Sequence, residues 1–172
     1  MILGMSLGTF TTVHVALSLI ELASGAIVAF GLWRAVRQSR WITLFLCSSA
    51  LTSVTGFLFP VSRIKPSHVV GAISIVLTAV VALALYKREL KGAWRPVYAG
   101  AVLATVYLDA FVAVVQAFQK IPVFRALAPN GSGPFFGVAQ VGLLAGFAAF
   151  GVIAVRRFRA GARMDANTAV PR

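Results

Sequence analysis

Apolar residues run along this chain in five long blocks, separated by short stretches of charged and turn-forming residues. The blocks cover residues 11–33, 41–60, 68–86, 97–118 and 135–155. Each is long enough to cross a hydrocarbon core, which takes about 20 apolar residues in a helix. Helices are expected throughout, because a helix satisfies its own backbone where no water is available. The connections at residues 34–40 and 61–67 leave no room for a soluble domain. The pattern therefore predicts one all-α, five-transmembrane-helix bundle over residues 1–159, followed by a polar, small-residue-rich tail at 160–172 expected to be disordered. The longest connection, 119–134, holds Pro122, Pro129 and Pro134 and the turn-rich Asn130-Gly131-Ser132-Gly133. Between its prolines, residues 123–127 can form a short interfacial turn. The first ten residues lack the basic region of a secretory signal and the run after them is too long for one, so the first block is expected to be a retained span.

Composition agrees with the pattern. The chain is 59% hydrophobic and only 12% charged, against about a quarter charged in soluble domains, and its mean hydropathy is +0.90. A net charge of +12 would suggest nucleic acid in a soluble protein. Here the charges lie between the apolar blocks, so no nucleic-acid partner is expected and the distribution becomes a topology signal. One side collects Arg34, Arg37, Arg40, Lys87, Arg88, Lys91, Arg95, Arg156, Arg157, Arg159, Arg163 and Arg172, which is 12 of the 16 basic residues. The other has Arg63, Lys65, Lys120 and Arg125. The excess predicts an N-terminus outside and a C-terminus in the cytoplasm. Trp33, Trp41, Tyr86, Trp94 and Tyr98 flank the basic connections as headgroup-level anchors. The single cysteine, Cys47, excludes an intramolecular disulfide and a multi-cysteine metal site, and is expected to be a buried packing residue.

Polar residues inside the blocks recur at helical spacing. Thr11, His14, Ser18, Glu21 and Gly25 share one face of the first span. His68, Gly71, Ser74 and Thr78 do so on the third, and Thr105, Asp109 and Gln116 on the fourth. Such stripes belong in a bundle interior, since lipid offers a polar group no partner. Counting inward from the basic ends, Glu21 is 12 residues from Trp33 and Asp109 is 12 from Val97. At the helical rise both fall in one layer, roughly 18 Å deep. His14, Gln116 and His68, at 19, 19 and 18 residues, make a second layer near the outer boundary, with Gln140 at 15 between them.

An ionisable group at mid-membrane is costly and is a functional-site candidate. If Glu21 and Asp109 meet, they cannot both be charged in low dielectric, so they are expected to share a proton. Linked through Ser18 to His14 and His68, they form a candidate proton relay or cation site, and His14, His68, Gln116, Ser18 and Gln140 are expected to line an outer polar pocket above them. The bland alternative is that each acid is protonated and hydrogen-bonds a neighbouring helix to fix packing, as in a structural accessory subunit. His14 and His68 at one depth could also ligate haem or another metal in a redox subunit, although neither lies in a ligand-spaced motif. No cofactor is assigned. No nucleophile elbow or phosphate-cradling loop is present, and an enzymatic role is not indicated. Gly142 and Gly146 form a GxxxG suited to close helix packing, within the chain or against a second protomer or another membrane subunit.

The stretches VTGFLFP (residues 54–60), KPSHVVG (65–71) and VVQAFQKIP (114–122) resemble small multi-pass bacterial inner-membrane proteins with no assigned function. The likeness extends from the first span to the last. It implies a bacterial inner-membrane location and adds nothing about mechanism.

Overall fold

The computed structural model describes residues 1–60, 66–128 and 131–168, with side chains described through Gly161. Arg63, Lys65, Pro129, Asn130 and Arg172 lie outside the described residues, as does the side chain of Arg163. All regular elements among the described residues are helices: α1 Leu7–Trp33, α2 Ser39–Phe57, α3 Pro66–Ala82, α4 Trp94–Lys120, α5 Pro122–Leu127 and α6 Pro134–Thr168. Ser6 caps α1, its hydroxyl accepting from the Thr9 N–H at 3.1 Å. Pro122 opens α5, where its missing N–H costs nothing. The α3 helix continues as a π-helical turn, Leu83–Lys87, and the chain then reverses through Glu89 and Leu90 at φ +51° and +57°. In that turn the exposed Lys91 pairs with Glu89 and holds its carboxyl below the usual carboxylate range.

Among the described residues, four helical stretches are long and apolar enough to cross a membrane: Leu7–Trp33, Pro66–Lys87, Trp94–Lys120 and Pro134–Gly161. The expected count of five is thus shown only for four. The exception is α2, and the physical reason is its hydroxyls: Thr43, Ser48, Ser49, Thr52, Ser53 and Thr55 dilute an otherwise apolar helix of 19 residues. Several turn back on the helix itself, as Ser48 does to the Leu44 carbonyl at 2.9 Å and Thr43 to that of Ser39 at 3.2 Å.

Helices α1 to α4 form a closed ring in which each packs on the next and α4 returns to α1. The α6 helix lies outside the ring, against α4 and α1. Its outer face, including Val138, Val141, Leu144, Val152 and Ile153, is exposed and suits lipid. It also runs to Thr168, so the segment expected to be a disordered tail is helical over residues 160–168. The helix continues past its apolar part, since Arg156, Arg157 and Arg159 are good helix formers.

The two halves of the ring differ. Toward the C-terminal ends of α1 and α6 and the N-terminal ends of α2 and α4, the interior is solid: Val28, Leu32, Ile42, Phe45, Val81, Tyr98, Val102 and Phe158 form one buried cluster. The basic connections meet at this end. The Arg95 Nε donates to the Phe158 carbonyl at 2.7 Å, the Arg157 guanidinium sits 4.6 Å from the Trp33 ring, and that of Arg88 lies 5.1 Å from the Trp94 ring. At the opposite end Phe118 contacts Phe124 and Phe136, both at 5.4 Å, holding α5 and the start of α6 over the end of α4. Between the packed half and this opposite end, the ring is hollow.

Candidate functional site

The hollow is set up by a close approach one helical turn from Glu21. A Cβ at Gly25 would lie 2.7 Å from Val106 Cγ2 and 2.8 Å from the Phe45 ring. Only glycine lets α1 come so near α2 and α4 at this level. The approach brings Glu21 against the hydroxyls of α2 and the carboxyl of Asp109 on α4. In the same layer Ser49 Oγ and Thr78 Oγ1 lie 2.8 Å apart, tying α2 to α3, and Thr105 donates to the Ala101 carbonyl at 3.0 Å.

Beyond this layer the hollow becomes a cavity of about 670 Å³, lined by all four ring helices. Glu21 and Asp109 form its floor, and Leu7, Pro60, Lys120 and Ile121 its mouth. Glu21 is 1% exposed. Its carboxyl faces Ser49, Thr52 and Asp109. Thr52 Oγ1 approaches it without reaching hydrogen-bond geometry, and the buried Asp109 Oδ2 has no hydrogen-bond partner among the described residues. Two acids thus meet beneath the cavity with acceptor capacity left over, in surroundings where an unpaired polar atom is costly.

The walls carry the remaining polar groups at intervals. Ser18 bonds back to the His14 carbonyl at 2.9 Å. His14 Nδ1 lies 2.8 Å from Thr55 Oγ1, and the imidazole meets the Phe59 ring edge-on at 5.1 Å. On α3, His68 packs edge-on against Phe57 at 5.6 Å. Gln116 lines the outer part of the cavity.

Of the residues selected from the sequence, Glu21, Asp109, Ser18, His14, His68 and Gln116 therefore share one cavity. Gln140 does not line it. Its Nε2 donates to the Phe111 carbonyl at 3.3 Å, and its buried Oε1 has no partner among the described residues. The reason is that α6 lies outside the ring, so a polar residue on it faces the α4 backbone instead of the interior. Cys47, expected to be buried, is exposed on α2. Gly142 and Gly146 are not closed upon by the chain itself: a Cβ at either would meet no heavy atom within 4 Å.

The sequence reading missed the α2 contribution, Thr52 and Thr55, and Lys120 at the mouth. Thr52, Thr55 and Gly56 do recur at helical spacing, a weaker form of the signal that marked α1. Among the described residues no group of three or more His, Cys, Asp or Glu could hold a metal ion.

What the arrangement offers chemically is a pair of acids beneath an apolar vestibule, with imidazoles and an amide along the route out. Comparison finds no matching family model, no similar curated protein and no similar solved structure.

Proposed function

We propose that this chain is a five-span protein of the bacterial inner membrane, with its N-terminus outside and its C-terminus in the cytoplasm, that takes protons or a small solute to and from the Glu21–Asp109 pair. Counting α2 as the fifth span is supported by its place in the ring and by the hydroxyls that turn inward or back on its own carbonyls. The orientation is supported by the basic connections, which gather at the packed end. In that orientation the cavity opens outward. It acts alone or as a subunit of a larger assembly.

One observation carries the reading: a single cavity joins the two deepest acids to both histidines. Two unit charges about 4 Å apart repel by about 4 kcal/mol even at an effective dielectric of 20. A lone carboxylate at mid-membrane costs about 2.5 to 3.5 kcal/mol more than an apolar residue would on insertion scales. One proton held between the acids relieves the first cost and reduces the second. A pair in that state can receive a second proton or surrender the first as its surroundings change.

Infrared spectra of the carboxyl stretch test this directly. Wild type should show a protonated carboxyl band at neutral pH that changes when the pH is varied, and Glu21→Gln and Asp109→Asn should each shift the band left by the other acid. Bands that are independent of each other's replacement would mean that the acids are separate packing groups.

A further inference from the structure

The cavity above the acid pair has a composition that narrows the class of solute. Its walls are predominantly apolar, with Val15, Leu19, Leu22, Val70 and Val112 among them. At about 670 Å³ it falls within the range of small-molecule sites. Its floor is acidic, and the only basic side chain of the described lining besides the histidines is Lys120, at the mouth. With one proton shared, the floor carries a single negative charge and no countercharge of the protein's own. The unpartnered Asp109 Oδ2 and Thr52 Oγ1 leave oxygen lone pairs there to face a cationic head.

We infer that the solute is an amphipathic organic monocation, such as an alkyl or aryl ammonium, whose charged head sits between Glu21 and Asp109 and whose apolar body fills the cavity. This rests on the proposed function and names the substrate class for the same site. A metal ion would leave the apolar walls without a role. An anion would meet two carboxyls. Lys120 opposes an entering cation, but it is exposed at the mouth, where salt screens it.

Proton balance follows. The doubly protonated pair is neutral; when the monocation binds, one proton leaves, and the remaining proton stays between the acids. The site then holds the cation with no net charge. The other titratable groups facing the cavity are His14 on α1, His68 on α3 and Lys120 on α4; among the described residues α2 contributes hydroxyls, and α6 contributes no lining. Competition between cation and proton makes affinity rise with pH, by up to tenfold per unit while the neutral pair predominates, and level off once it does not.

The full chain in detergent micelles, titrated calorimetrically with benzyltrimethylammonium in buffers of differing ionisation enthalpy, gives both affinity and protons released. The uncharged isostere neopentylbenzene serves as competitor. Expected are approach to one proton released per cation at low pH, affinity rising with pH, and at least tenfold weaker competition by the isostere. Glu21→Gln and Asp109→Asn should each weaken cation binding at least tenfold. The proton count on wild type needs no variant to fold. Equal competition by the isostere, binding without proton release at low pH, or no cation binding would overturn the assignment. If in any of these cases the carboxyl band of wild type responds to pH and the band left by either acid shifts when the other is replaced, the protonatable pair stands and only the solute class falls; if not, both fall.

Discussion

His14 Nδ1 lies 2.8 Å from Thr55 Oγ1, and the Thr55 hydroxyl is also 2.7 Å from the Leu51 carbonyl. A hydroxyl has one proton to give. Spent on the Leu51 carbonyl, it leaves the oxygen to accept from His14, so the neutral imidazole carries its proton on Nδ1 and keeps Nε2 for proton exchange. The α2 helix thereby sets the chemistry of a residue on α1. In ¹⁵N spectra of the selectively labelled protein, the neutral His14 should show a protonated Nδ1 and a bare Nε2. Thr55→Val should move protons to Nε2 and cost about 1 kcal/mol of stability, as the loss of one hydrogen bond does. An unchanged tautomer in Thr55→Val would remove the role given to that contact.

The cavity should admit water-soluble reagents from its mouth. In a Cys47→Ser background, His14→Cys, His68→Cys and Gln116→Cys should react with an impermeant thiol reagent added outside intact cells. Val76→Cys is the control, since Val76 is 61% exposed on the surface of α3 and lies outside the cavity lining. Gln116→Cys, at the one of these three positions that is exposed, should react fastest. Rates no greater than that of the control would mean the cavity is closed to the aqueous phase.

The contact at Gly25 should be the most sensitive to added bulk. A methyl group there meets Val106 and the Phe45 ring at 2.7 and 2.8 Å, and overpacking of this kind costs about 1 to 3 kcal/mol. At Gly142 the same methyl meets nothing within 4 Å, and replacing glycine within a helix gains about 0.5 to 1 kcal/mol. Thermal unfolding in detergent should therefore show Gly25→Ala well below wild type and Gly142→Ala at or above it. Equal losses would contradict the packing of α1 against α2 and α4.

Reporter fusions after Arg172 should be active in the cytoplasm and silent in the periplasm, because the charge pattern of the sequence assigns 12 of the 16 basic residues to the cytoplasmic connections and tail. A periplasmically active fusion would reverse the orientation or change the number of spans, and α2, with its diluted hydropathy, would be the first helix to reconsider.

The helical blocks were legible because membrane-length apolar runs admit few other structures. The inward stripes on α1, α3 and α4 were legible for a related reason: helical periodicity puts His14, Ser18 and Glu21 on one face whatever that face meets. Depth could be counted as well, because each residue advances a helix by a constant rise. The identity of the neighbours could not. Periodicity does not say which helices close the ring, and so Gln140 was grouped with the interior although α6 lies outside it. The hydroxyls of α2 drew little notice because serine and threonine can bond to their own helix and carry no charge. Thr52 and Thr55 acquire meaning only beside Glu21 and His14. The cavity itself is a tertiary property. Glycine at position 25 permits the approach, but the approach leaves a hollow only because the surrounding side chains fill one half of the ring and stop short in the other.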